Sequence, residues 1–288
     1  MPSPSTLNTI PLIKKLKRQE DEHKGHGGRV LIIGGADSMT GAPVLSGIAA
    51  MYSGAGWVEI AFLANPRPLL VSEHPELMLR SASDLTNLTA SVIAIGPGLG
   101  QSEQAQLLLE NCLKSNIPLV LDADALNLLA LHPSLIDLLK SRQSPSVLTP
   151  HPGEAANLLH STSDAVQTNR ILAIHQLVEK SNAIVVLKGH GTLCLAPNQS
   201  LQICQEGNSG MGSGGMGDTL TGIIAALIAQ GIKHELNPWE ASCLGVQLHA
   251  LAADNLVKGK VPNKGAIGPL GLTATEVALE VRRLLNQV

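Results

Sequence analysis

The sequence predicts an α/β protein, a three-layer α/β/α sandwich around a mainly parallel central sheet. Short runs that are apolar on both faces alternate with longer segments typical of helices, as in parallel sheets covered by helices on both sides. Because ligands bind beyond the carboxyl ends of the strands in such sheets, polar turns after the strands indicate a site. Five runs end in turns rich in Gly, Asp, His or Lys: residues 34–35, 96–98, 122–124, 151–154 and 188–191.

The first half of the chain divides at its glycine turns. VLIIGG (30–35) predicts a buried strand, and the small side chains of 41–56 predict a helix that packs closely. WVEIAFL (57–63) predicts the next strand. SVIAIGPGLG (91–100) predicts a strand that enters a glycine turn, followed by a helix that ends near Asn116.

The second half repeats a strand that turns directly into a helix. This pattern occurs at 118–130 and at 146–159, where Pro150 and Pro152 stiffen the turn. The remaining predicted elements are a long helix over about 165–180, strands at 183–192, 192–197 and 200–205 with the last two in a hairpin, a helix that ends at Gly231, a helix over about 238–257, and a C-terminal helix from about Thr273.

The composition favours one folded domain over residues 1–288, in which residues 1–22 form a polar N-terminal extension. The chain has 288 residues, of which 44% are hydrophobic and 15% charged, and no Ser/Gly linker divides it. The net charge of −3 and the scarcity of aromatic residues argue against nucleic acid as a partner. A bound adenine would therefore lie against aliphatic side chains.

The four cysteines have no zinc or CxxC spacing, which predicts buried thiols in a reducing compartment. The sequence contains neither a signal peptide nor an apolar run of membrane-spanning length. We therefore expect a cytoplasmic protein without a membrane partner.

The stretch 207–231, GNSGMGSGGMGDTLTGIIAALIAQG, carries the strongest functional signal. Seven glycines surround the single carboxylate Asp218, and an apolar helix follows. A glycine loop before a helix N-terminus presents free N–H groups and the positive end of the helix dipole, which favours a phosphate. Asp218 is then either the base beside that anion site or simply the N-cap of the helix.

Three other turns allow both a functional and a structural interpretation. Residues 188–192 (KGHGT) would hold a nucleotide or form only a glycine-rich turn. His151 would contact a ligand or be an ordinary turn residue, and Glu154 would be a first-turn carboxylate. Asp122 and Asp124 would hold a hydrated Mg²⁺ or cap the helix that follows.

Several common motifs are absent. The chain has no GxxxxGK[ST] P-loop, and GGADSMTGA lacks the spacing of a dinucleotide fingerprint. Four histidines have no metal-ligand spacing and are expected to be surface or structural residues: His23, His26, His132 and His175.

At GSGGMGD the sequence resembles the ribokinase-like superfamily, in which a GxGD element supplies an anion hole and a catalytic Asp. Six blocks between His23 and Gly222 also resemble the NAD(P)H-hydrate dehydratases in order and spacing. These blocks are HKGHGGRVLIIGGADSMTGAPVLSGIAAMYSGAG, IAIGPGLG, LDADALNLL, LTPHPGEAANLL, LKGHGT and GNSGMGSGGMGDTLTG.

The resemblance implies a ribokinase-like enzyme that repairs the S-epimer of hydrated NADH or NADPH. A nucleotide phosphorylates the ring hydroxyl, phosphate leaves, and Asp218 acts as the base. The implied anion hole is Gly214, Gly215, Met216 and Gly217. The implied nucleotide-binding residues are Lys188, Gly189, His190, Gly191, Thr192 and Gly217. The implied substrate-binding residues are Ala42, Gly98, Gly100, His151 and Asp218.

The resemblance further implies Mg²⁺ without an assigned protein ligand, ADP or ATP as co-substrate, a homotetramer, and the stand-alone form without an epimerase domain. ADP is favoured, as in the bacterial members. The alternative function is a ribokinase-like kinase for a hydroxymethylpyrimidine, a thiazole alcohol or a pyridoxal-like substrate. A regulatory protein that binds nucleotide without turnover is a further alternative, which an intact Asp218 argues against.

Overall fold

The computed structural model describes residues 4–85, 87–263 and 265–287. Ten strands lie within them: β1 (Ser5–Thr6), β2 (Arg29–Gly34), β3 (Trp57–Phe62), β4 (Met78–Ser81), β5 (Val92–Ile95), β6 (Leu119–Leu121), β7 (Ser146–Leu148), β8 (Ile184–Leu187), β9 (Leu193–Leu195) and β10 (Gln202–Ile203). They form one sheet in the order β1-β10-β9-β8-β7-β6-β5-β2-β3-β4. Only β9 runs antiparallel to its neighbours β8 and β10, which confirms the mainly parallel sheet and the predicted hairpin.

Two helical layers cover the sheet. The helices are α1 (Gly41–Tyr52), α2 (Glu103–Lys114), α3 (Ala123–Leu131), α4 (Pro133–Ser141), α5 (Pro152–Leu159), α6 (Ser163–Thr168), α7 (Arg170–Ser181), α8 (Met216–His234), α9 (Pro238–Val257) and α10 (Ala274–Leu285). Short 3-10 helices span Ile10–Leu16, Ala82–Asp84 and Ser209–Gly212.

Alternate residues of the central strands point into two separate cores. In β5, Val92 and Ala94 join α1, α8, α9 and α10 on one face. Ile93 and Ile95 join α2 to α7 on the other face. Because successive strand side chains point to opposite faces, strands between two helical layers must be apolar throughout. The structure therefore confirms the three-layer α/β/α sandwich.

The single long helix predicted over 165–180 is wrong. The segment forms α6 and α7, separated at Asn169, whose φ of −138° and ψ of 67° are not helical. The Asn169 side chain accepts a hydrogen bond from the backbone N–H of Leu172 and so caps α7. Asn side chains compete with helical hydrogen bonds in this way, and hydrophobic periodicity does not reveal it. Strands β1 and β4 and helix α4 were not predicted either, and α8 continues past its predicted end at Gly231 to His234.

Part of the predicted polar extension packs against the rest of the structure. Leu7 and Ile13 are both 3% exposed. Strand β1 pairs with β10 at the edge of the sheet. The Thr9 hydroxyl and backbone N–H both donate to Oε1 of Gln247 on α9, at 2.8 Å. Residues 1–3 of this segment lie outside the described residues.

The four cysteines are buried free thiols, as the sequence predicts: Cys112, Cys194, Cys204 and Cys243. A hydrogen bond with Cys243 and burial together raise the pKa of Cys194 well above its usual value. Burial raises the pKa of Cys112 to about 12. Since the thiolate is the reactive form, these thiols are inert packing residues. Of the helices in the described ranges, none combines the length and the hydropathy required to span a bilayer.

Candidate active site

A cavity of approximately 750 Å³ lies at the carboxyl ends of the central strands, a volume typical of small-ligand sites. The loop after β8, the glycine loop before α8 and helix α9 form its walls. Seven of the sequence-predicted site residues line it: His151, Lys188, Gly189, His190, Thr192, Met216 and Gly217. Aliphatic side chains such as Leu220, Val246 and Ala250 line the rest.

The glycine loop has the open backbone that an anion site needs. Gly215 is the N-cap of α8, with φ +87°, a left-handed conformation that favours glycine. A Cβ added at Gly212 or Gly214 would meet no atom within 4 Å, so the space beside this backbone is open. Asp218 is the third residue of α8 and not its N-cap. The interpretation of Asp218 as a helix cap is therefore wrong.

Helix α1 fixes the position of Asp218. The Ser46 hydroxyl donates a hydrogen bond of 2.9 Å to the Asp218 carbonyl oxygen. One turn further along α8, a Cβ at Gly222 would lie 2.0 Å from the Ser46 carbonyl oxygen. The two helix backbones thus approach as closely as only glycine permits.

Beneath the glycine loop lies a buried ion pair. Lys188 Nζ is 2.7 Å from Oδ1 of Asp122, and the Thr221 hydroxyl donates to Oδ2 at 2.8 Å. Burial alone would raise the pKa of Asp122, but the Lys188 charge and hydrogen bonds from Lys188, Thr221 and Thr149 outweigh it and hold the pKa below its usual value. Asp122 precedes α3 but makes no side-chain cap hydrogen bond. Asp122 thus occupies the N-cap position of α3, but its side chain forms the ion pair and does not cap the helix.

The environment of Asp218 suits a base that works near neutral pH. Burial, followed by the negative charge of Asp122, raises the pKa of Asp218 to about 7, while Lys188 acts in the opposite direction. A carboxylate with such a pKa is both substantially ionised at neutral pH and basic enough to accept a proton.

His151 has a structural role and also faces the cavity. Its Nδ1 accepts hydrogen bonds from the backbone N–H groups of Gly153 and Glu154, at 3.0 and 3.3 Å. Glu154 completes a capping box by accepting from the His151 N–H at 2.8 Å. The His151 side chain is 57% exposed. Burial and the Lys188 charge lower the pKa of His151, which keeps the imidazole neutral as an acceptor. Glu154 is the first-turn carboxylate that the sequence predicts, and burial raises its pKa to about 7.

The other predicted substrate residues form a second group outside the lining of the cavity. A Cβ at Gly98 would lie 3.4 Å from that of Ala42. The Gly100 N–H donates to Oδ2 of Asp124 at 2.9 Å, so Asp124 is bonded to the turn after β5. Ala42 lies one turn before Ser46, the residue that binds Asp218. Asp218 is therefore connected both to this group and, through Gly217, to the cavity.

Two further residues belong to the site although no sequence motif indicated them. Arg170 donates to the carbonyl oxygens of Leu187, Lys188 and Gly191, and so holds the loop after β8 in place. Gly191 thus supports the loop and does not line the cavity. His249 of α9 lines the cavity, and its buried Nε2 has no hydrogen-bond partner among residues 4–85, 87–263 and 265–287. In the sequence, the one signal that could have indicated His249 was a histidine within an apolar helix.

Protein side chains do not form a metal cage in the described part of the chain, where no three His, Cys, Asp or Glu residues are grouped to hold an ion. Both oxygens of Asp122 are already engaged by Lys188 and Thr221. A Mg²⁺ at this site would therefore be held mainly by phosphate oxygens and water, as is usual for this ion.

Lys188→Met is expected to destabilise the protein by about 3–5 kcal/mol, because it leaves the Asp122 carboxylate buried without its partner. The double variant Lys188→Met, Asp122→Asn should regain most of this loss, since it buries no uncompensated charge. Urea denaturation of the wild type, both single variants and the double variant measures the coupling. Additive effects of the two substitutions would show that the ion pair does not stabilise the fold.

Comparison with known proteins gives one consistent result. The family described as NAD(P)H-hydrate dehydratase matches residues 30–267. A bifunctional NAD(P)H-hydrate repair enzyme from Coxiella burnetii is 42% identical over 96% of this chain and 54% of its own length. An ADP-dependent (S)-NAD(P)H-hydrate dehydratase from Neisseria meningitidis is 38% identical over 94% of this chain and 89% of its own. The chain thus spans about half the length of the bifunctional relatives.

Among solved structures, the chain is similar to an ADP/ATP-dependent NAD(P)H-hydrate dehydratase from Bacillus subtilis co-crystallised with ATP/Mg²⁺. The two share 29% identity with a TM-score of 0.82, over 99% of this chain and 98% of the other. This likeness confirms the ribokinase-like fold that the glycine loop predicts.

Proposed function

The chain belongs to the NAD(P)H-hydrate dehydratase family, and we propose that it restores NADH or NADPH from the S-epimer of the hydrated cofactor at the expense of a nucleotide phosphate. The observation that carries this proposal is the position of Asp218 beside an open glycine loop. The carboxylate has a pKa near 7 and adjoins a cavity of nucleotide size. A base next to an anion site is what phosphorylation of a hydroxyl requires.

The proposed reaction has two stages. Asp218 takes the proton of the ring hydroxyl. The hydroxyl oxygen attacks the terminal phosphorus of ADP, which releases AMP. Phosphate then leaves with the electrons of the C–O bond, as the ring nitrogen donates its lone pair. Loss of a proton from the neighbouring ring carbon restores the dihydropyridine. Hydroxide is a poor leaving group and phosphate a good one, so the first stage makes the second possible.

In this scheme the protein mainly positions the two reactants and stabilises the charge of the phosphoryl group. The backbone N–H groups of residues 214–217 would hold the phosphoryl group, and the N-terminus of α8 adds its dipole. Lys188 would add a positive charge, since its ammonium lies beside Gly217. Residues 189–192 would bind the nucleotide within the cavity. His151, Ala42 and the 98–100 turn would contact the hydrated nicotinamide.

The phosphate donor in this proposal is ADP. The N. meningitidis relative is named ADP-dependent, whereas the B. subtilis protein is named ADP/ATP-dependent. Mg²⁺ would enter with the nucleotide phosphates, where it neutralises phosphoryl charge. The homotetramer, the cytoplasmic location and the single-domain organisation stay predictions of the sequence.

The deciding experiment mixes purified protein with hydrated NADPH, Mg²⁺ and either ADP or ATP, and follows absorbance at 340 nm. We expect a rise that requires nucleotide and is matched by release of AMP and orthophosphate when ADP is used. A flat trace from folded protein with both nucleotides would refute the dehydratase. A stable phosphorylated alcohol in place of orthophosphate would instead favour the small-molecule kinase.

A further inference from the structure

We propose that Asp122 is a positioning residue that keeps Asp218 able to accept a proton near neutral pH, by holding Lys188 and its own negative charge beneath the glycine loop. The proposal rests on the proposed function only in taking Asp218 as the base. Asp122 does not touch the cavity and acts through Lys188 and Asp218.

The geometry places the Asp122 carboxylate against the face of α8 that carries Gly217 and Thr221, next to Asp218 in the first turns of the helix. A Cβ at Gly217, the residue before Asp218, would lie 3.9 Å from Oδ2 of Asp122 and 3.2 Å from Lys188 Nζ. Thr221, three residues after Asp218 on the same helix, donates to that same Oδ2 at 2.8 Å. Asp122 is only 1% exposed, so solvent does not screen its charge effectively.

Lys188 is the group that Asp122 controls. Its ammonium is 2.7 Å from Asp122 and 4.0 Å from Glu154, and its side chain is 18% exposed. Were Asp122 neutral, this ammonium would be free to pair with Asp218. A carboxylate paired with an ammonium is held ionised and is a weak base. Among the described residues Lys188 is engaged by Asp122 and makes no ion pair with Asp218.

The other titratable groups around Asp218 do not replace Asp122 in this role. Helix α1, which binds the Asp218 carbonyl, contains no charged residue. On α9, burial lowers the pKa of His249 to about 4, so it is neutral. At the N-cap of α5 the pKa of His151 is lowered, and on α5 Glu154, with a pKa of about 7, is only partly ionised at neutral pH. The Asp122 charge is therefore a fixed negative charge that acts on Asp218, in agreement with its effect on the pKa of Asp218.

The test is a ¹³C NMR titration of the Asp carboxyl carbons, in which the Asp218→Asn spectrum assigns the Asp218 signal. In the wild type we expect Asp218 to titrate near pH 7, and the pKa of Asp122 to lie below its usual value. In Asp122→Asn the Asp218 midpoint should fall by about one pH unit or more, because a like charge is removed and Lys188 is released. Asp137→Asn, which removes an exposed carboxylate on α4, should leave the midpoint unchanged.

Two further measurements separate this role from a structural one. Thr221→Val removes a hydrogen bond to Asp122 but keeps its charge, so the Asp218 midpoint should stay near 7 even if the melting temperature falls. If Asp122→Asn does not fold, Asp122→Ser removes the same charge and retains a hydroxyl. An unchanged Asp218 midpoint in a folded variant without the Asp122 charge would overturn the proposal, as would a wild-type midpoint near 4. The titration needs no substrate, so its outcome is independent of whether the protein is a dehydratase.

Discussion

Asp218→Asn should lower the rate of nucleotide-dependent NADPH formation by about 10²–10⁴-fold, the usual contribution of a positioned general base. The amide has nearly the same shape as the carboxylate but cannot accept the hydroxyl proton. The Asp218 carbonyl would still bind Ser46, so the start of α8 should keep its position. Nucleotide binding should remain, because the proposed nucleotide contacts come from the loop after β8 and from backbone N–H groups.

The pH dependence adds a second signature. Because the base must be ionised, wild-type kcat/KM should fall as the pH drops through about 7, the pKa of Asp218. The residual activity of Asp218→Asn should lack this acid limb. Initial rates at 340 nm between pH 5.5 and 9, with nucleotide affinity measured by calorimetry, provide the test. A variant with wild-type rates, or one that has lost nucleotide binding as well, would contradict the role of Asp218 as the base.

The parts of this site that a local motif encodes could be predicted from the sequence. The glycine loop, Asp218 and the loop that starts at Lys188 each follow from a few adjacent residues. Their meeting at one edge of the sheet follows from the parallel topology. Hydrophobic runs on both faces were sufficient to predict the layers, because strands between two helical layers leave no polar face.

The parts of the site that the sequence did not predict depend on contacts between residues far apart in the chain. Asp122 and Lys188 are 66 residues apart, and Asp122 before a helix has the usual pattern of a cap. Arg170 belongs to the site only because the break at Asn169 starts a new helix there. Its hydrogen bonds are to backbone carbonyl oxygens, which every residue has, so no side-chain pattern in the sequence indicates them. Ion pairs and side-chain-to-carbonyl bonds therefore required the structure.

Gly222→Ala should destabilise the protein by more than about 3 kcal/mol, a large effect for one added methyl group. The new Cβ would lie 2.0 Å from the Ser46 carbonyl oxygen and 3.0 Å from Cβ of Ala49. Because the nearest atom belongs to the backbone of α1, no rotamer change relieves the clash, and α1 and α8 must separate. Both helices belong to the core on one face of the sheet. The melting temperature should consequently fall by roughly 10 °C.

The same separation would displace Asp218, since the Ser46 hydroxyl bonds to its carbonyl one turn away. Activity measured below the melting temperature should therefore fall along with stability. Gly41→Ala is the matched control: it adds the same methyl group at the exposed start of α1, where no atom lies within 4 Å. Ala is also the better helix former by up to about 1 kcal/mol. If differential scanning calorimetry gave the two variants the same melting temperature, the close approach of α1 and α8 would not limit the stability of the fold.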